Sequence, residues 1–462
     1  LVRGKGVFFM GVPEKAISRR CAEFVTSLNY SDLDPETVSV TKKCIVDWLG
    51  CVLGGASTPA AGIIKGLVDE MGGKEQAAMA GDFSRASVLQ AAMVNAYNCH
   101  ILEMDDVHKR AVLHPAAPVI SAAFALGEYL GSSGEDVITA IVAGYEVMIR
   151  IGEAVMPSHY AIWHSTATCG NFGAAAAGAK LLKLDDMQTL YSLGNAGTQA
   201  AGLWEFASDN AMTKYLHCGK AAYNGLLASM MAKRGFDGAT RILEGDRGFF
   251  RAYSSESGFE RSFEDMGRTY KINETVYKPY ASCRHTHGPI NGVLALRSRM
   301  GFSWEDVESV TVETYGTALK LAGNTDHSTP PAARFSLSYC LASALVFGKV
   351  GVDQFREEIL DDPSIAAVTP RIKIEATPEM DAMHPEKWPS KTTVRLKNGT
   401  SESIFVEYPK GDPENTMTDD EIKEKYLALS ALIIPVEKAR LLLDRCGSIE
   451  KRKSMEDFFQ GL

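Results

Sequence analysis

The chain predicts a mainly α fold: a large all-helical domain interrupted by a smaller α+β lid domain. Three observations carry this. Apolar residues recur at helical spacing from about residue 16 to about residue 265. Alternation with a period of two then appears between about 270 and 410. Helical spacing returns after Pro413. The simplest architecture assigns 14–270 plus 411–462 to the helical domain and 271–410 to the α+β lid, with the C-terminal helices rejoining the first domain. The length of 462 residues suits it, since roughly 100 to 200 residues per domain give two or three domains.

The elements follow in chain order. Residues 38–53 and 88–102 place apolar side chains at helical recurrence, and Ser133 with Asp136 reads as a capping pair opening a helix over 136–155. Residues 170–182 are so rich in Ala and Gly that the segment reads as a helix crowded by its neighbours. Residues 308–315 alternate apolar and polar, 371–375 do so briefly, and 392–397 with 401–408 flank Asn398-Gly399, a strong hairpin signal. Thr418 and Glu421 read as a capping box ahead of a helix over 422–432, and another helical stretch follows Pro435.

Composition narrows the function. Hydrophobic residues make up 45% and charged residues 23%, with a mean hydropathy of -0.08, the profile of a wet-surfaced globular protein. Against 48 Lys+Arg stand 57 Asp+Glu, a net charge of -9, which disfavours a nucleic-acid partner because no basic face is available overall. No window approaches the roughly 18 apolar residues of a membrane span. The opening residues 1–12 carry Arg3 and Lys5 before a short apolar run, with Pro13, Glu14 and Lys15 where a cleavage site would need small residues. They read as a leader or an added remnant. Nine scattered cysteines without a Cys-x-x-Cys pair suit free thiols in a reducing compartment, so a cytoplasmic location is expected.

Five segments could carry chemistry. His100-Ile-Leu-Glu103-Met-Asp105-Asp106-Val-His108, then His114-Pro115, packs carboxylates and imidazoles together; acid/base work needs such pairs, although ion pairs also gather at ordinary helix ends. Residues 163–173 form a Gly-bearing turn led by His164 into the Ala-rich helix, able to present N–H groups to a carboxylate or phosphate. The segment lacks both the Walker ending and Gly-x-Gly-x-x-Gly, so a nucleotide site is disfavoured. Lys214 and His217 share a face if 213–220 is helical, and 278–287 adds Lys278, Arg284, His285 and His287. In a chain of net -9 these cations are a local exception whose natural ligand is a small polycarboxylate. Cys283, His285 and His287 would lie on one side of an extended strand, as a zinc site can require, but Lys278 and Arg284 would crowd a cation, so no metal is expected. Tyr339, in the segment 333–340, reads as a phenolic donor or as a core tyrosine.

Taken in order, these segments resemble the MmgE/PrpD family of 2-methylcitrate dehydratases, cis-aconitate decarboxylases and iminodisuccinate epimerases. The resemblance runs from about residue 14 through 100–118, Gly144-Tyr145-Glu146, 164–183, 213–219, 278–287, 334–339 and Lys410-Gly411-Asp412-Pro413-Glu414-Asn415. It implies a homodimer and a cofactor-independent site between the helical domain and its lid. Carried over residue by residue, it implies catalytic roles for His114, Asp106, Glu103, His164, Lys214 and Tyr339, and substrate contacts from Lys278, Cys283, Arg284 and His287. His114 would be the acid/base, oriented by Asp106 or Glu103. The shared chemistry is proton movement on carbon next to a carboxylate, and the expected activity is removal of water from a small 2-hydroxy di- or tricarboxylate resembling 2-methylcitrate. Glu103 stands where the family pattern has Asp, and Val107 and Cys283 stand where the decarboxylase branch has Thr and His, which counts against decarboxylation of cis-aconitate. Epimerisation, metal-dependent hydrolysis and noncatalytic carboxylate binding are the remaining alternatives.

Overall fold

A computed structural model describes residues 12–209 and 211–462. The segment read as a leader, except Val12, lies outside the described residues. The protein is mainly α, with a small sheet region. The chain divides into two compact units: one comprises the chain up to Ile101, Asp105–Thr275 and Asp419–Leu462, and the other Leu102–Met104 with Val276–Thr418.

The first unit is helical. Its long helix Pro35–Ala56 starts where the Asp34 carboxylate accepts the Thr37 N–H at 2.9 Å and Pro35 presets the first turn. Trp48 of this helix is fully buried, packs its ring 4.7 Å from that of Phe124 and donates its indole N–H to Ser121 Oγ at 2.9 Å, which fixes it against the helix Ala116–Leu130. The expected cap of the next helix, Gly134–Val155, is present: Ser133 and Asp136 satisfy each other's backbone N–H groups. The crowded helix is Ser165–Leu181, and glycine lets its neighbours approach. A Cβ on Gly144 would meet Val119 Cγ1 at 2.4 Å and the Gly173 carbonyl oxygen at 2.8 Å.

The same holds on the other side of that helix. A Cβ on Gly225, in the helix Thr213–Lys233, would lie 2.5 Å from Ala174 Cβ and 2.6 Å from the Asn171 carbonyl oxygen. Gly225→Ala is therefore expected to destabilise the protein by about 1–3 kcal/mol through overpacking, read as a lower melting temperature. An unchanged melting temperature would show that the two helices can part without penalty. The unit is closed by the helices Asp419–Ser430 and Val436–Gly447. Lys425 of the former is buried, and its ammonium lies 2.6 Å from Asp47 of the Pro35–Ala56 helix.

The second unit holds a four-stranded sheet in the order Ile372–Ala376, Val307–Thr314, Ser390–Leu396, Ser401–Val406. The first pair is parallel and the others antiparallel. Val310, Val312 and Thr314 are buried at the expected alternation, but Val307 joins them only because the register shifts between Val307 and Ser309. The hairpin turn spans Lys397–Gly399: Leu396 donates to the Thr400 carbonyl, and Gly399 takes φ +87°, which glycine tolerates without a steric penalty. The helix His287–Met300 lies on this sheet so closely that a Cβ on Gly292 would meet Thr392 Oγ1 at 2.3 Å. Among the described residues no single helix is long and apolar enough to cross a membrane.

Candidate active site

The first unit builds a buried cluster around Asp105. His100 stands near the end of the helix Val88–Ile101, the chain passes to the second unit for residues 102–104, and it returns at Asp105. Asp105 Oδ2 lies 2.7 Å from His100 Nδ1, while Oδ1 is 3.4 Å from His114 Nδ1. The two imidazoles meet edge to face at 4.6 Å. One carboxylate thus lies between two histidines and is hydrogen-bonded to His100. His114 is the member that reaches solvent, with 13% of its side chain exposed against none for His100 and Asp105.

The turn delivering His114 is strained. The His108 N–H donates to the Leu113 carbonyl at 2.9 Å, and between them Val112 takes φ +45°, a left-handed conformation that a β-branched side chain rarely adopts. Such strain costs on the order of 1–3 kcal/mol and persists where surrounding contacts over-determine the backbone. Here one such contact is the His114 N–H, which donates to Thr166 Oγ1 at 3.0 Å. Thr166 sits in the first turn of the Ser165–Leu181 helix, just after His164. The His164 ring lies 5.8 Å from that of His100, and its Nδ1 is 3.2 Å from His217 Nδ1. Lys214, one turn before His217 in the Thr213–Lys233 helix, is buried with them. Trp204 and Phe206 pack against these two imidazoles.

Burial sets the charges. It pushes the His114 imidazole down to about 4, outweighing the Asp105 carboxylate that pulls the other way. His217 is likewise brought to about 4, first by burial and then by its neighbours His100 and Lys214. His164 is held well below the usual imidazole range, first by burial and then by Lys214. Burial alone would raise Asp105, but His100 and His114 overcome it and hold its carboxyl well below the usual range. The result is neutral imidazoles at His114, His164 and His217 beside an ionised carboxylate and a lysine: a base and a cation in a dry setting.

Asp106 was expected to orient His114, and it does something else. Its oxygens accept the Ala116 N–H at 2.9 Å and the Tyr145 hydroxyl at 2.7 Å, so it anchors the start of the Ala116–Leu130 helix. Burial, opposed by these two hydrogen bonds, keeps its carboxyl well above the usual range. The carboxylate that stands beside His114 is the neighbouring Asp105, at 3.4 Å. Glu103, the other expected orienter, groups with the second unit and faces Lys278 at 3.6 Å, both side chains being buried.

The remaining expected residues lie in the second unit. Arg284 does not offer a free cation: it pairs with Asp412 and donates to the Lys410 carbonyl at 3.0 Å and to His287 Nδ1 at 2.8 Å. Since His287 Nδ1 accepts, its Nε2 carries the proton toward the Ser282 carbonyl at 3.3 Å. Cys283, His285 and His287 are not on an extended strand, because Arg284–Thr286 is a 3-10 turn and His287 opens a helix. The turn is held where Thr286 donates its N–H and its hydroxyl to the Cys283 carbonyl. Among the described residues, the sets of side chains close enough to share one ion do not include these three. Tyr339 is buried and donates to the Gln354 carbonyl, and burial raises its hydroxyl to about 12, the environment of a core tyrosine. Of the residues expected to act together, then, His114, His164 and Lys214 converge, joined by His100, Asp105 and His217. Sequence reasoning had marked the segments of these last three without ranking the residues as catalytic.

The model of the MmgE/PrpD N-terminal domain matches residues 19–262 and that of the MmgE/PrpD C-terminal domain residues 280–448. A cis-aconitate decarboxylase-like protein, oryM, of Aspergillus oryzae is 26% identical over 95% of both chains. The cis-aconitate decarboxylase of Aspergillus terreus is 26% identical over 93% of this chain and 92% of its own. The 2-methylcitrate dehydratase of Escherichia coli is 22% identical over 83% of this chain and 84% of its own. With both domain models matched across most of its length, the chain belongs to the MmgE/PrpD family.

Proposed function

We propose that this protein is a lyase that moves a proton on carbon adjacent to a carboxylate and, without a cofactor, removes water from a small 2-hydroxy di- or tricarboxylate of the 2-methylcitrate type. The observation that carries the reading is the Asp105 carboxylate between His100 and His114, with Lys214 buried beside the same histidines. Neutral His114 takes the proton from carbon, and ionised Asp105 stabilises the imidazolium that forms. Negative charge developing on the substrate carboxylate is stabilised by Lys214 in a dry setting, where such a charge counts for more than in water. The imidazolium returns its proton to the departing hydroxyl, which leaves as water, and both residues end as they began.

A second reading is decarboxylation of cis-aconitate. Proteins named cis-aconitate decarboxylase match 93–95% of this chain at 26% identity in two cases, whereas the two enterobacterial 2-methylcitrate dehydratases match 83% and 90% at 22% and 21%. One experiment separates the readings: purified protein in deuterated water with 2-methylcitrate, citrate, cis-aconitate, tartrates or iminodisuccinate, followed by NMR. Loss of water from a 2-hydroxy acid is expected. Loss of carbon dioxide from cis-aconitate would move the assignment to the second reading, and deuterium uptake without either would indicate an epimerase. Binding without any turnover would remove catalysis altogether.

A further inference from the structure

We propose that His100, Asp105 and His114 form a binding site for Zn2+, at which the ion is an inhibitor rather than a cofactor. The site's ligands and its test do not depend on the lyase reading. One ligand atom from each of the three residues lies within 4.8 Å of the other two. His100 Nδ1 lies 2.7 Å from Asp105 Oδ2 and His114 Nδ1 lies 3.4 Å from Asp105 Oδ1, so small shifts of the carboxylate bring one oxygen to the ligand-to-ligand separation of about 3.3 Å in tetrahedral zinc with bonds of about 2.0–2.1 Å. Imidazole and carboxylate are ligands that Zn2+ accepts, and the set leaves a fourth position for water or for a substrate carboxylate.

The ligands also come already directed. His114 is held from behind by its N–H to Thr166, and Asp105 stands between the two rings, so binding displaces the proton between His100 and Asp105 with little movement of the chain. Lys214 opposes a cation here, which sets the affinity below that of a structural zinc site and suits reversible occupancy. The same argument disposes of the other cluster. His108, Glu153 and Glu274 are as close to one another, but the Lys271 ammonium already stands 3.2 Å from Glu153 and 3.0 Å from Glu274, occupying the place an ion would need. An ion bound to His114 Nδ1 takes up that nitrogen's lone pair together with the Asp105 carboxylate, and places two positive charges where the imidazolium would form.

The test uses chelator-treated full-length protein titrated with Co2+ and then Zn2+. Visible bands of four- or five-coordinate Co2+ are expected at one equivalent per chain and should bleach on adding Zn2+. His114→Asn, at the solvent-reaching position, should weaken Co2+ binding by at least about a hundredfold, given that even outer partners of metal ligands contribute about 10–100-fold. His108→Asn should leave it unchanged. Because a variant in a buried cluster can misfold, X-ray absorption of the Zn2+-loaded wild-type protein gives a second reading, expected to show a nitrogen and oxygen shell with imidazole scattering. Absence of the Co2+ bands, their survival in His114→Asn, or a sulfur shell from the buried cysteines would each overturn the proposal. Where a turnover assay is in hand, Zn2+ should abolish activity and a chelator should restore it, while a protein without turnover would still report on the ion by its spectrum.

Discussion

Replacing His114 with Gln lowers kcat by at least about a hundredfold in a protein that still folds, the loss that accompanies removal of one general acid/base. Lys214→Ala does the same by removing the charge opposite the developing carbanion. The pairing with Asp105 adds a sharper expectation. Asp105 stands between His100 and His114, so under the proposed mechanism it positions and charge-balances the base, and residues acting as a unit are not additive. Asp105→Asn in the His114→Gln background should therefore reduce kcat little further, whereas Asp105→Asn alone reduces it strongly. Steady-state kinetics of the two single variants and the double variant decide this. Independent, multiplicative losses would break the link between the two residues, and full activity of His114→Gln would remove the base assignment.

Such kinetics are best done near neutrality, because the same burial that keeps the histidines neutral makes the fold acid-sensitive. His159 and His217 both stand at about 4 rather than the usual 6.5, owing first to burial. Between those values the unfolded chain binds more protons than the folded one, so stability rises with pH in that window and is lost as pH falls from about 6.5 toward about 4. The melting temperature should drop over this interval, and a His159→Gln variant should lessen the drop.

The sequence carried the fold better than the site, and particular residues show why. Periodicity is local, so the helix cap at Ser133, the alternation through Val310 and Val312 and the turn at Asn398-Gly399 could be read in place. The meeting of His100, His114, His164 and Lys214 depends on three helices and a turn that are far apart in the chain, and no spacing rule encodes it. Choosing between Asp105 and Asp106 was beyond reach for a different reason. Adjacent residues of identical chemistry differ only in direction, and direction is set by the Tyr145 hydroxyl and the Ala116 N–H that claim Asp106. Arg284 shows the converse error: a cation in a promising segment was read as available, when its partner Asp412 lies in the Lys410–Asn415 segment already noted for another reason.

That ion pair gives the second large effect. Contacts with His287, Lys410, Pro409 and Asp412 take up four of the five N–H donors of the Arg284 guanidinium. Arg284 is 5% exposed and Asp412 1%, so Asp412→Ala leaves a buried cation without its counter-charge. Breaking a buried pair from one side costs about 3–5 kcal/mol. For domains of this size, each kcal/mol shifts the melting temperature by roughly 2–4 °C, so a fall of about 6–20 °C is expected by calorimetry. Removing both charges is a different matter, since apolar replacements of similar volume are often neutral. Arg284→Met combined with Asp412→Leu should recover most of the loss. The same double variant tests the role first read from sequence: an arginine that holds a substrate carboxylate raises KM when replaced, while one committed to Asp412 and the 409–410 carbonyls leaves KM near the wild-type value. A large rise in KM at near-normal stability would return Arg284 to the substrate, and an unchanged melting temperature for Asp412→Ala would show that the pair contributes nothing to the second unit.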